Sequence, residues 1–117
     1  MPKRYRVTAS GVELGWFLFE GADTSMAMVV GTFEPSAGYA DRAELFVSLS
    51  HALETKSPSR DDLLARRDKL QLGLATETGA EIKTDWIMIS DYADDNGRAF
   101  EAKICSAEDL HSYFDDN

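Results

Sequence analysis

Period-two alternation of apolar and polar residues dominates the first third of the chain and restricts it to an antiparallel sheet. Residues 5–9 alternate, Ser10 and Gly11 supply a turn signal, and residues 12–16 alternate again, which predicts a β-hairpin. The apolar run at residues 16–19 breaks the alternation and indicates a strand covered on both faces or a bulge. Residues 21–25 are predicted as a loop, and the apolar residues 26–33 as a central strand.

Helical periodicity follows Pro35, which ends the third strand because proline cannot donate to a ladder. Asp41 followed by Glu44 resembles a capping box with Asp in place of Ser, which predicts the start of a helix. The apolar face of that helix consists of Leu45, Phe46, Leu49 and Leu53. Ser57 or Ser59 is predicted to cap a second helix, which carries Leu63, Leu64, Arg67 and Leu70.

Alternation returns in the second half of the chain. Residues 70–74 alternate, residues 86–89 form an apolar run, and residues 100–104 alternate, which predicts up to three more strands, with a polar hairpin loop at residues 91–98. Ser106, with Asp109 three residues later, predicts the start of a last helix that packs through Leu110, Tyr113 and Phe114. We therefore expect one α+β domain over residues 1–117. Its sheet should be largely antiparallel with about five or six strands, accompanied by two or three helices.

Charge is distributed unevenly and bears on the class of partner. The net charge is −9, and residues 81–117 contribute −7 of it, with ten acidic and three basic side chains. Binding to nucleic acid is disfavoured, because phosphate neutralisation needs a basic face. An acidic segment favours a basic protein partner, although net charge also keeps small domains dispersed without serving any site.

The small number of cysteines and the short apolar runs predict the cellular compartment. Cys105 is the only cysteine, so an intramolecular disulfide cannot form. The longest apolar runs are far shorter than the roughly 20 residues that a membrane-spanning helix needs. We therefore expect a cytoplasmic protein that does not associate with membranes.

Metal and cofactor motifs fail when they are tested for spacing. Asp91, Asp94 and Asp95 before Gly97 invite comparison with an EF-hand loop, but that alignment puts Lys103 where a bidentate carboxylate is required. His51 and His111 have no helically spaced partner, and neither a dinucleotide-binding nor a Walker motif occurs. The sequence predicts no metal and no cofactor.

Catalytic groups are sparse. Ser48 and His51 lie on one helix without an orienting third group, and Cys105 is expected to be a small core residue rather than a nucleophile. The carboxylates of Glu20 and Asp23 flank a predicted loop, where burial raises a carboxyl pKa and makes acid–base catalysis feasible. In the structural alternative, Asp23 or a neighbouring serine accepts from loop amides and Glu20 pairs with an arginine.

One segment resembles a known group of proteins. It reads Gly15-x3-Phe19-Glu20-x2-Asp23-x2-Met26-x4-Gly31-x-Phe33-x-Pro35-x3-Tyr39. This resembles a family of small bacterial domains of unknown function, whose motifs are G-x-[ST]-x-[LF]-E, D-x-x-M and G-x-F-x-P, and the later Asp91-Tyr92 pair is similar as well. Residues 16–18 stand where the family has a smaller and more polar tripeptide. The resemblance implies a shared fold and no activity, while Gly31 among bulky residues predicts a close approach of backbone or aromatic ring.

Binding without catalysis is the function that these features favour. We expect a protein-binding or inhibitor module, similar in kind to an immunity protein, that occludes a basic partner. The predicted binding residues are Glu20, Asp23, Tyr92, Asp94, Asp95 and Tyr113. The acidic patch from Asp85 to Asp116, which includes Asp94 and Asp95, is expected to steer the partner, and the two tyrosines to anchor it as exposed aromatics.

Two alternatives belong to other classes. The apolar run at residues 16–19 exceeds what one face of a strand needs to bury, which favours a homo-oligomeric subunit, such as a homodimer, if half of it is exposed. The other alternative is an enzyme that uses Glu20 and Asp23, with His51 or His111 brought close by the fold.

Overall fold

The computed structural model describes residues 3–93 and 97–114. Within these ranges the chain forms one antiparallel sheet and three α-helices, so the predicted α+β class is confirmed, although the sheet has seven strands instead of five or six. The strands are β1 (Arg4–Ala9), β2 (Val12–Asp23), β3 (Met28–Pro35), β4 (Leu72–Thr76), β5 (Glu81–Ile82), β6 (Thr84–Ser90) and β7 (Ala99–Ile104). The helices are α1 (Ala43–Thr55), α2 (Arg60–Lys69) and α3 (Ala107–Phe114), and a turn of 3₁₀ helix, Ala37–Tyr39, precedes α1.

The predicted first hairpin is confirmed, and its turn explains why it forms. Ser10 and Gly11 both have positive φ, 49° and 84°, which is the backbone of the type I′ turn that matches the twist of two paired strands. The loop predicted at residues 21–25 is confirmed only for Thr24 and Ser25, because β2 continues to Asp23 and pairs there with Met28. A β-bulge at Glu20 absorbs one extra residue and keeps the following residues in the ladder.

The sheet closes on itself. Its strand order is β5-β4-β1-β2-β3-β7-β6, and the two outermost strands are separated in the chain by Lys83 alone. β5 and β6 are therefore two parts of one bent strand that pairs with β4 before the bend and with β7 after it. The result is a small barrel with an inner and an outer face.

The barrel interior is the main hydrophobic core. Phe17 and Phe100 stack across it with ring centroids 4.2 Å apart. At one end Phe114 of α3 packs on Tyr5, and at the opposite end Tyr39 packs on Phe33. The buried strand residues of this core are Tyr5, Val7, Ala9, Leu14, Phe17, Val29, Phe33, Leu74, Ile82, Ile87, Ile89, Phe100, Ala102 and Ile104.

Gly31 has the close neighbours that the sequence predicts for it. A Cβ atom at this position would collide with the backbone carbonyl oxygen of Leu18 and would lie 2.7 Å from the ring of Phe17. Because neither neighbour is the free end of a flexible side chain, only glycine lets β2 and β3 approach this closely.

The α1–α2 pair covers the outside of the barrel at β6. Leu49, Ala52 and Leu63 are buried there against Met88. The predicted capping box at Asp41 is wrong: Arg42 occupies the N-cap position of α1 without a side-chain cap, because the turn after the 3₁₀ segment carries the chain past Asp41 before the helix begins.

The predicted side-chain caps of the second and third helices have different outcomes. Ser59 is the N-cap of α2, but its side chain makes no capping bond; its backbone N–H donates to Ser57 Oγ instead. The predicted cap of α3 is confirmed, since the backbone N–H of Asp109 donates to Ser106 Oγ at 3.1 Å.

Candidate functional site

A shallow groove of about 370 Å³ crosses the outer face of the barrel next to the β6–β7 loop. Its floor is a row of short side chains, because Thr32 on β3, Ala99 on β7 and Ser90 on β6 lie side by side in register. Glu20, in β2, and Tyr92, two residues after the end of β6, both line the groove. We call it the Glu20–Tyr92 groove; its lining is Glu20, Gly31, Thr32, Ser90, Tyr92, Gly97, Arg98 and Ala99.

Glu20 owes its position to the bulge. Phe19 pairs with Gly31 and Gly21 pairs with Val30, so Glu20 is the extra residue that has no ladder partner. Bulges redirect side chains in this way and are frequent beside functional sites. The exposed carboxylate accepts a hydrogen bond from the Thr32 hydroxyl through Oε2. The structural alternative, an ion pair with an arginine, is not found for Glu20 among residues 3–93 and 97–114.

Tyr92 is the exposed aromatic residue that the sequence predicts, with 39% of its surface accessible. Its ring neighbour is His51 of α1, which meets it nearly at right angles with centroids 5.3 Å apart. The contact ties the start of the β6–β7 loop to α1 and still leaves the tyrosine accessible from the groove.

A buried network underneath fixes the described residues at the two ends of this loop. Asp91, only 2% exposed, accepts from the Tyr39 hydroxyl at 2.8 Å and from Arg98 Nε at 2.9 Å through Oδ2. Its Oδ1 accepts from the backbone N–H of Ala93, and its own N–H donates to Ser50 Oγ, both at 2.9 Å. Both ends of the loop, at Asp91 and at Arg98, are thereby fixed to the body of the protein.

Hydrogen bonding, rather than burial, decides the charge state of this network. Burial alone raises the pKa of Asp91, but the hydrogen bonds from Ala93, Tyr39 and Arg98 outweigh it and hold that pKa below its ordinary value. The pKa of Tyr39 is raised, first by burial and then by its hydrogen bond to the carboxylate. The hydrogen bond to Asp91 raises the pKa of Arg98. The network is therefore a carboxylate with a cation and a neutral phenol.

The sequence patterns do not predict this network. They place Asp91 in a polar loop, and they single out neither Tyr39 nor Arg98 as a candidate site residue. One signal is present, because Asp91 directly follows the apolar run at residues 86–89, where a buried strand ends and an acidic side chain needs a partner.

Asp23 does not share a site with Glu20. Its Oδ1 accepts from the backbone N–H of Ser25 at 3.0 Å, from Ser25 Oγ at 2.7 Å and from the backbone N–H of Met26 at 3.3 Å. The Ser25 hydroxyl, and then the Met26 amide, lower the pKa of this exposed carboxyl. Asp23 is thus engaged by the β2–β3 turn, as the structural alternative expects, and it lies three positions after Glu20 along β2, a separation of about 10 Å.

The remaining predicted binding residues are not gathered at the groove. Asp94 and Asp95 lie outside the described residues. Tyr113 is at the opposite end of the barrel and, contrary to the expectation of an exposed anchor, is half-buried against the core. Its backbone carbonyl accepts from the hydroxyl of Tyr5, which fixes α3 to β1.

The apolar run at residues 16–19 is divided between the two faces of β2. Phe17 is buried inside, and Phe19 packs on the core from a half-buried position. Trp16 lies outside with the guanidinium of Arg4 4.0 Å and that of Arg6 5.2 Å from its ring centroid. These cation–π contacts cover the indole without a second protein chain.

Metal and thiol chemistry receive no support from the geometry. No cluster of three or more His, Cys, Asp or Glu side chains suited to a metal ion occurs in the described part of the chain. Cys105 is exposed, so its expected place in the core is wrong, because the thiol projects outward and donates to Asp85 Oδ1 at 3.3 Å. Partial desolvation of the thiol by its neighbours, and then this hydrogen bond, raise its pKa, which opposes nucleophilic activation.

Comparison of the chain with protein-family models, with curated proteins and with solved structures gives no match. The resemblance of the segment from Gly15 to Tyr39 to a bacterial family therefore stays a prediction. Within the described residues, no helix has the length and apolar character needed to cross a bilayer.

Proposed function

We propose that this chain is a non-enzymatic protein-binding module that holds a basic partner protein, as an inhibitor does, through the Glu20–Tyr92 groove. The observation that carries the proposal is the meeting of Glu20 and Tyr92, 72 positions apart in the sequence, in one groove. The sequence alone predicts each of them as a binding residue. An exposed carboxylate beside an exposed aromatic ring is the combination that binds cationic side chains at protein interfaces.

The charge balance of the groove supports a basic partner. Arg98 is the cation in its lining, and Asp91 lies 2.9 Å from it and offsets its charge. Among the described residues of the lining, Glu20 is the remaining charged group, and no cation in the described part of the chain pairs with it. The chain as a whole carries −9, so long-range attraction acts in the same direction.

Rigid support also favours docking of a partner. The groove is built on strands of a closed barrel and on a loop whose two ends are fixed by the Asp91 network. A preformed surface loses little conformational entropy when a partner docks, which reduces one of the costs of association.

Comparative affinity capture tests this proposal. Tagged wild-type protein, Glu20→Gln, Tyr92→Ala and the control Glu54→Gln, an exposed residue of α1 outside the groove, are incubated with lysate of the native host. We expect wild type and control to retain one basic protein. The amount of it that is retained should be at least about tenfold lower with both groove variants. Thermal unfolding of each variant verifies that the fold is intact.

Two results would contradict the proposal. Equal retention by all four proteins would place binding elsewhere, and an absence of any retained basic protein would remove the basic partner. Native mass spectrometry of the captured sample separates the alternative function, because a homodimer without a second polypeptide would favour the oligomeric subunit.

A further inference from the structure

The Glu20–Tyr92 groove has the size of a site for one side chain. Its volume of about 370 Å³ is at the lower end of the range of roughly 300–1,000 Å³ that small-molecule sites occupy. The floor of Thr32, Ala99 and Ser90 has no long side chain, and Glu20 and Tyr92 belong to the same lining.

The carboxylate in this groove is oriented and only partly engaged. The Thr32 hydroxyl donates to Oε2 of Glu20, and the described residues supply no hydrogen bond to Oε1. A carboxylate offers about four lone-pair positions, so both oxygens retain acceptor capacity. Two parallel N–H donors, as on a guanidinium, match two oxygens held in a fixed plane.

The aromatic ring of Tyr92 also favours a guanidinium over an ammonium. A planar, weakly hydrated guanidinium stacks on an aromatic face, whereas an ammonium is compact and strongly hydrated. Tyr92 is accessible at the groove, and His51 meets it edge to face. Arg98 adds little repulsion to a second guanidinium, because Asp91 offsets its charge.

We propose that the groove binds an arginine side chain of the partner, with Glu20 accepting two N–H bonds from the guanidinium and Tyr92 stacking on it. This rests on the proposed function and specifies its chemistry: the partner contributes arginine rather than lysine to the centre of the interface. Thr32 is a positioning residue, since its hydroxyl orients the carboxylate.

Peptide titration followed by ¹H–¹⁵N NMR tests the assignment on the full chain. The probes are acetyl-Gly-Ser-Arg-Ser-Gly-amide and the same peptide with lysine or with citrulline in place of arginine. Citrulline keeps the shape of arginine and lacks its charge. We expect saturable shifts at the amides of Thr32, Tyr92 and Ala99 with the arginine peptide, and a dissociation constant at least about tenfold lower than with either other peptide.

Matched variants locate the effect. Glu20→Gln should weaken arginine binding at least about tenfold, while Glu34→Gln, an exposed glutamate of β3 outside the groove, should not change it. Equal binding of the lysine peptide, shifts elsewhere on the surface, or the same loss in both variants would overturn the assignment. A captured basic partner with no arginine binding at the groove would refute this inference alone, whereas arginine binding without any captured partner would refute the proposed function alone.

Discussion

The hydroxyl of Tyr39 donates a 2.8 Å hydrogen bond to the carboxylate of Asp91, and this buried contact joins the turn before α1 to the loop after β6. Because Arg98 binds the same carboxylate oxygen, a single atom fixes three separate segments of the chain. The groove above depends on these segments for its shape.

Replacing Asp91 with asparagine should destabilise the fold by about 2 kcal/mol. The substitution leaves the charge of Arg98 uncompensated; breaking a fully buried ion pair costs roughly 3–5 kcal/mol, and Arg98 is one-third exposed, which lowers the figure. Urea unfolding monitored by tryptophan fluorescence measures the change. Asp61→Asn, whose ion pair is exposed, is the control and should remain within about 0.5 kcal/mol of wild type.

Acid should remove the contribution of Asp91. Its pKa is lowered in the folded protein, so the unfolded chain takes up the proton first as the pH falls, and the stabilisation is lost progressively below about pH 4. Above that pH the contribution is complete. Urea midpoints measured from pH 7 to pH 3 should fall more steeply for wild type than for Asp91→Asn; parallel curves would contradict the assignment.

Alkali should act on Tyr39 with the opposite slope. Burial and the hydrogen bond to Asp91 raise its pKa, so above about pH 10 the unfolded chain loses a proton that the folded protein retains. Stability should therefore decline as the pH rises past that value. Tyr39→Phe has no titrating group at this position and should show a smaller decline between pH 9 and pH 11 in the same unfolding measurement.

Alanine at Gly31 should destabilise the barrel by about 3 kcal/mol, because its Cβ would collide with the Leu18 backbone and the Phe17 ring in a core that cannot shift freely. Gly21→Ala is the matched control on the partner strand. There a Cβ meets only a methyl group of Val30, at 4.0 Å, which is an ordinary contact. Thermal unfolding should separate the two variants clearly, and equal melting temperatures would refute the close approach.

Removal of the Ser106 hydroxyl should cost about 1 kcal/mol, because Ser106→Ala leaves the Asp109 amide without its cap. Ser59→Ala should have little effect, since the Ser59 side chain makes no capping bond at α2. Chemical denaturation of both variants measures the difference in unfolding free energy. We expect that difference because the Ser106 side chain makes a capping hydrogen bond and the Ser59 side chain does not.

Neutralising Asp94 and Asp95 together should slow association with the captured basic partner at low salt, by about tenfold or less, and the difference should shrink as salt is added. Stopped-flow association at two ionic strengths measures it. Unchanged rates at low salt would show that these two predicted residues do not steer the partner.

Local patterns are sufficient for the strands and for part of the site. Alternation predicts β1 and the start of β2, the turn chemistry of Ser10 and Gly11 predicts the hairpin, and Gly31 predicts the close approach. Glu20 and Tyr92 are recognisable as polar and aromatic residues beside apolar strands. Each of these features depends on neighbours within a few positions in the chain.

Features that depend on distant residues are not predictable in the same way. The bulge at Glu20 keeps β2 paired to Asp23 although the composition of residues 21–25 is typical of a loop. The partners of Asp91 come from positions 39, 50 and 98, and no spacing rule connects them. The closure of the barrel at Lys83 likewise cannot be predicted without knowing that β4 and β7 are the two neighbours of one bent strand.

That closure also governs when the barrel can form during synthesis. β3, finished by residue 35, has β7 as its outer neighbour, and β7 ends at Ile104, so a further 69 residues must be translated before β3 is paired on both sides. At an elongation rate of about 5–20 residues per second, the apolar hairpin of β2 and β3 waits for several seconds on the ribosome without its neighbour. The nascent chain should therefore be a substrate for chaperones during that interval, and it becomes resistant to protease only after β7 has emerged.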